Sequence, residues 1–67
     1  VELKLEGSSI VITGLNAPQV SVYDSAGVML IDKRGNRIPI TPLANGTYLV
    51  KIVCNGKTYS KKVLLSH

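Results

Sequence analysis

Three features of the sequence predict a small all-β domain of about seven antiparallel strands, arranged as a sandwich or a barrel. Turn-forming residues recur at short intervals, at Gly7-Ser8-Ser9, Gly14 to Pro18, Asp24 to Gly27, Arg34-Gly35-Asn36, Pro42 to Gly46 and Asn55-Gly56. The runs between them are short and alternating, the pattern of half-buried strands. The hydrophobic residues, 45% of the chain, are rich in Val, Ile and Leu, with three Tyr and neither Trp nor Phe. β-Branched side chains suit a pleated surface better than a helix, and no window carries a helical apolar stripe without a Gly or Pro inside it.

The first strand is expected over 1–6, where Val1-Glu2-Leu3-Lys4-Leu5 alternates, and the second over 9–13 after the Gly7-Ser8 turn. Strands over 19–24 and 28–33 form a hairpin, because Asp24-Ser25-Ala26-Gly27 suits a type I turn closed by a left-handed glycine. Its three-residue loop pairs Val22 with Leu30 and Tyr23 with Met29. Val20, Val22, Val28 and Leu30 then point inward, while Tyr23, Met29 and Ile31 share the opposite face. That outer cluster is a candidate docking patch, or a surface covered by another part of the fold. A fifth strand is expected over 37–41.

The last two strands, 47–54 and 57–65, are joined by Asn55-Gly56, a strong type I′ hairpin signal because both central residues need positive φ. A two-residue loop fixes the register: Cys54 opposite Lys57, Ile52 opposite Tyr59, Val50 opposite Lys61 and Tyr48 opposite Val63. Tyr48, Val50, Ile52, Tyr59, Val63 and Leu65 form the core face, with Lys61 reaching out at its rim. Leu49, Lys51, Val53, Thr58, Ser60, Lys62 and Leu64 form the mixed solvent face.

Sixty-seven residues make a single domain, and one this small buries only about 60% of its unfolded surface. Cys54 is the sole cysteine, so an internal disulfide is excluded. Cys54 and the terminal His67 supply too few ligands for a metal site and a poor nucleophile–base pair. The acids Glu2, Glu6, Asp24 and Asp32 are scattered, no serine has a base near it in sequence, and no glycine-rich phosphate loop exists. Catalysis and cofactors are therefore not expected.

The net charge of +4 gathers in 33–37 and in Lys57, Lys61 and Lys62. Without stacking aromatics or a recognition motif it reads as solvated turn and edge charge rather than a nucleic-acid surface. Asn45-Gly46-Thr47 matches a glycosylation acceptor, but Gly46 is already accounted for by the turn. No run approaches the ~20 apolar residues of a membrane span. The chain opens directly on a strand pattern without an export signal, which reads as a domain cut from a longer protein.

Three segments occur in a telling order: Val20-Ser21-Val22-Tyr23-Asp24-Ser25-Ala26-Gly27, Leu43-Ala44-Asn45-Gly46-Thr47-Tyr48-Leu49-Val50-Lys51-Ile52, and Gly56-Lys57 followed by Lys61-Lys62-Val63-Leu64. Together they resemble the type A C-terminal sorting domain of the type IX secretion system, over most of the chain from about Pro18. Val28 stands where that family often has Lys or Arg, and the family's proline-rich opening is missing.

The resemblance implies an Ig-like β-sandwich, non-catalytic, spanning 1–67 at the C-terminus of a secreted cargo of Bacteroidota. It implies passage through the periplasm, recognition by the outer-membrane secretion machinery, removal by a surface sortase, and a final location at the cell surface or outside. Carried onto this chain, the recognition elements are Gly46, Tyr48, Lys61, Lys62, Val63 and Leu64, with Tyr23, Asp24 and Gly27 matching the hairpin motif. The alternative is an Ig-like accessory module that supports a neighbouring secreted hydrolase through Tyr23, Met29 and Ile31. Carbohydrate binding would want aromatic platforms that three Tyr supply poorly.

Overall fold

The computed structural model describes residues 1–66 and contains seven strands and no helix. They are β1 (Glu2–Glu6), β2 (Ser9–Thr13), β3 (Gln19–Tyr23), β4 (Met29–Arg34), β5 (Arg37–Pro39), β6 (Gly46–Cys54) and β7 (Lys57–Leu65). Two antiparallel sheets result, one ordered β1-β2-β5 and the other β4-β3-β6-β7. The chain passes between them at β2–β3, β4–β5 and β5–β6, so each sheet is built from segments distant in sequence.

The sheets bury their facing sides against each other. Ile10, Ile12, Ile38 and Ile40 come from the smaller sheet and its continuation, and Val20, Val22, Tyr48, Val50, Ile52, Val63 and Leu65 from the larger one. Leu3, Leu15, Ile31, Leu43 and Tyr59 pack around this cluster. Alternation explains the selection, since successive side chains of a strand leave on opposite faces. β2 buries Ile10 and Ile12, and β6 buries Tyr48, Val50 and Ile52.

The β6–β7 hairpin has the register its turn dictates, with Cys54 opposite Lys57, Ile52 opposite Tyr59, Val50 opposite Lys61 and Tyr48 opposite Val63. Asn55 and Gly56 stand at φ 53° and 78°, the paired positive values of a type I′ turn. Lys61 lies on the core-side face but at the sheet's edge strand, where its head stays exposed.

The β3–β4 hairpin departs from expectation beyond its turn. Gly27 N–H donates to the Asp24 carbonyl and Asp24 N–H to the Val28 carbonyl, both at 3.0 Å, which closes the three-residue loop. Tyr23 pairs with Met29, but Val22 pairs with Ile31, because the register shifts between Val22 and Tyr23. Leu30 is the extra residue of a β-bulge. A bulge adds one residue to one strand and inverts the facing of everything after it. Ile31 therefore packs on the core and Leu30, expected inside, is 43% exposed. Val28, also expected inside, lies ahead of the bulge in the turn and is 55% exposed.

That inversion is testable: Ile31→Ser should cost about 2 kcal/mol or more in urea unfolding. Leu30→Ser should stay within about 0.5 kcal/mol of the parent. The unbulged register predicts the reverse order.

β5 is shorter than expected. It ends at Pro39, which lacks the N–H a longer ladder would need and is tolerated because β5 is an edge strand. Ile40 N–H still donates to the Ser8 carbonyl at 2.8 Å, and a turn closes from Leu43 N–H to the Ile40 carbonyl.

Candidate functional site

The outer face of the four-stranded sheet carries the candidate site. Register aligns Met29, Tyr23, Leu49 and Lys62 in one row across β4, β3, β6 and β7. The next row is Asp32, Ser21, Lys51 and Ser60. Asp32 is engaged there, accepting from the Ser21 hydroxyl at 3.3 Å and from the Gln19 amide. The β3–β4 turn rises at one end of the first row. Between that turn and the sheet lies an open groove of about 520 Å³, lined by Tyr23, Asp24, Ser25, Gly27, Thr47, Tyr48, Leu49, Lys51 and Lys62.

The turn wall is rigidly built. The Asp24 carboxylate accepts from the backbone N–H of Ala26 and of Val28, both at 2.9 Å through Oδ1, so it serves the loop rather than the groove. The opposite corner is set by Tyr48. Its ring is 9% exposed and its hydroxyl donates to the Ala44 carbonyl at 2.7 Å, pinning the loop that leads into β6. Gly46 opens that strand at φ +155°, a conformation side-chain-bearing residues rarely adopt. A Cβ there would lie 3.9 Å from the Tyr48 ring, so its role is backbone conformation and not space.

Parts of all three sequence motifs thus meet on one surface: Tyr23, Asp24 and Gly27 of the first, Tyr48 of the second and Lys62 of the third. The other expected recognition residues are dispersed. Lys61 lines a second groove of about 450 Å³ with Val1, Leu3, Ile52, Tyr59 and Ser60, on the opposite side of β7. Val63 is buried in the core, and Leu64 is 68% exposed on the outer face opposite Thr47.

The expected patch of Tyr23, Met29 and Ile31 does not form as one surface. Ile31 has turned to the core through the bulge, which leaves Tyr23 and an exposed Met29.

Sequence reasoning placed Leu49 and Lys51 on the solvent face but missed that they join Tyr23. The pairing of β3 with β6 brings them together, and it spans residues with no local signal. Cys54 is a free thiol, half-buried near the Asn16 carbonyl. His67 lies outside the described residues, so a Cys54–His67 pair has no described geometry. No cluster of metal-ligating side chains occurs among the described residues, and no helix is long and apolar enough to cross a membrane.

A family model described as the secretion system C-terminal sorting domain matches residues 2–66. The chain belongs to the type IX secretion C-terminal sorting domain family. No curated protein and no solved structure gives a significant match to it. Membership in this sorting-domain family implies a parent cargo, secretion machinery that reads the domain, and export toward the cell surface or extracellular space. Sorting domains are normally non-catalytic. The groove on the outer sheet face gathers Tyr23, Asp24, Gly27, Tyr48 and Lys62 of this sorting domain's motifs.

Proposed function

We propose that this domain is a non-catalytic folded handle that directs its cargo across the outer membrane by the type IX pathway. It forms the C-terminal domain, residues 1–67, of a larger secreted protein of Bacteroidota. The cargo crosses the inner membrane by an ordinary signal peptide and the handle folds in the periplasm. The outer-membrane translocon reads it, and a surface sortase removes it as the cargo reaches the cell surface or the medium. The observation that carries this reading is the convergence of three separated motif segments on one groove, in a chain matched nearly end to end by the family.

The fold is read as Ig-like. Two antiparallel sheets with chain crossovers, and a tyrosine near the start of a strand whose hydroxyl returns to a carbonyl a few residues upstream, are features of that architecture. A translocon serving unrelated cargoes must recognise backbone shape and a few exposed groups. β7 offers both, as a nine-residue edge strand with a free backbone side among the described residues, open to strand addition. Lys61 and Lys62 leave β7 on opposite faces, and Leu64 joins Lys62. Gly46, Tyr48 and Val63 act by holding these groups in place.

The test is a reporter exported to the periplasm and fused ahead of residues 1–67, in a host with this pathway. Surface delivery is expected from the parent fusion. Lys62→Glu should lower it about tenfold, the effect of a ~1.4 kcal/mol loss, without shifting the thermal midpoint. Delivery that survives replacement of Lys61 and Lys62 and deletion of β7 would sink the proposal. It would favour the accessory-module reading, whose contact would then run through Tyr23 and Met29.

A further inference from the structure

The charge of this domain is unevenly placed. Lys51, Lys57, Lys61 and Lys62 all lie on the β6–β7 hairpin, which contains no acidic residue. Elsewhere the four acids Glu2, Glu6, Asp24 and Asp32 balance Lys4, Lys33, Arg34 and Arg37, so the whole formal side-chain charge of +4 resides on that hairpin. Within the groove, Lys51 and Lys62 are diagonal neighbours on one face, since Leu49 pairs with Lys62 and Lys51 with Ser60. Such positions are about 7–8 Å apart.

Neither lysine forms an ion pair among the described residues, where Arg37 pairs with Glu6 on the other sheet. Asp24, the groove's sole acid, already accepts two backbone N–H groups. Two adjacent cations of like sign repel each other. Between them and the β3–β4 turn the surface is apolar, formed by Tyr23 and by Leu49, which is 42% exposed.

On the reading that this domain is recognised by secretion machinery, we propose that the groove's ligand is an extended acidic segment of a protein partner. The segment seats an apolar side chain on Tyr23 and Leu49 and sets carboxylates against Lys51 and Lys62. Charge complementarity selects an acidic segment, and the apolar floor selects a peptide over a bare anion. In an extended segment only every second side chain faces the groove. The carboxylates and the apolar residue must therefore stand at positions i, i+2 and i+4, which matches the two-residue repeat of the strands beneath it.

The probe is a peptide of about ten residues in which aspartate and leucine take turns at every second position with serine between them, so that both share one face. It is titrated into the isotopically labelled chain and followed by amide shifts. Saturable shifts are expected at Tyr23, Leu49, Lys51 and Lys62. They should weaken at least tenfold at about 0.5 M salt, where surface charges are screened, and at least tenfold in Lys51→Glu/Lys62→Glu. A peptide with lysine in place of aspartate should leave these amides unmoved.

Absence of saturable shifts with the acidic peptide overturns the proposal, as do shifts confined to Lys57 and Lys61. Stronger shifts of the groove amides by vesicles of anionic phospholipid than by the peptide overturn it in favour of a lipid surface. Because this binding is measured on the isolated chain, its failure is separate from failure of the reporter to reach the surface. The first would reject an acidic partner, the second the sorting role.

Discussion

Replacing Tyr48 with alanine should cost about 3–5 kcal/mol of folding stability, the range for truncating a large buried aromatic. The ring is nearly fully buried within the core cluster and overlies Gly46, while its hydroxyl holds the Ala44 carbonyl. A domain of this size sits near the low end of the 5–15 kcal/mol stability range, so the variant should be largely unfolded at 37 °C. Tyr48→Phe keeps the ring and loses one hydrogen bond, which should cost about 1 kcal/mol. Circular dichroism through a urea titration separates the two.

The pair also divides two roles that the family motif leaves merged. If Tyr48 acts by holding the corner, Tyr48→Phe should deliver the reporter to the surface nearly as well as the parent, and Tyr48→Ala should fail in step with its loss of fold. A stably folded Tyr48→Phe domain that is not delivered would instead make the hydroxyl a group the machinery reads. The hydroxyl's engagement with Ala44 argues for the first outcome. Lys62 and Leu64, by contrast, are exposed, and their substitution should change delivery more than stability.

What the sequence disclosed follows how locally each feature is determined. The Asn55-Gly56 loop has only two residues and demands positive φ at both, so the register of β6 and β7 was readable to the last pair. The Asp24 to Gly27 turn was equally readable, but it governs only the first ladder step. The bulge at Leu30 then moved Ile31 to the core and left Leu30 to solvent, while Val28, ahead of the bulge, is exposed in the turn. Both faces of that segment are aliphatic, so alternation alone held no contrast to reveal the slip.

The candidate groove was legible as parts and not as a place. Tyr23, Tyr48 and Lys62 were each singled out, yet their meeting depends on β3 lying beside β6, a pairing made across more than twenty residues. Lys61 and Lys62 were distinguishable, because adjacent residues on a strand face opposite ways. Their different surroundings emerged only with the two sheets in position, which set Lys61 near Val1 and Leu3 of the smaller sheet's edge. Asn36 gave no signal beyond its place in a glycine turn.

Asn36 carries the second large effect. Its side chain accepts from Ala17 N–H at 3.1 Å and donates to the carbonyls of Ile12 and Leu15 at 2.9 and 2.8 Å. Its own carbonyl accepts from Ile12 N–H at 2.8 Å. One part-buried amide therefore braces the loop that carries the chain from β2 to β3, including Ala17 at φ +47°, an uncommon conformation for a residue with a side chain.

Asn36→Leu leaves one N–H and two carbonyls without these partners. At about 1 kcal/mol for each bond, and more where water cannot replace it, the expected loss is about 2–4 kcal/mol. Asn36→Asp is nearly isosteric but should be no better, because a carboxylate cannot donate and would face two carbonyl oxygens. In hydrogen exchange, the Ala17 amide should lose protection in both variants ahead of the β6–β7 ladder, since the loop opens locally before the sheet does. Unfolding free energies from urea titration within about 0.5 kcal/mol of the parent would show that the brace contributes little and that core burial alone holds the two sheets together.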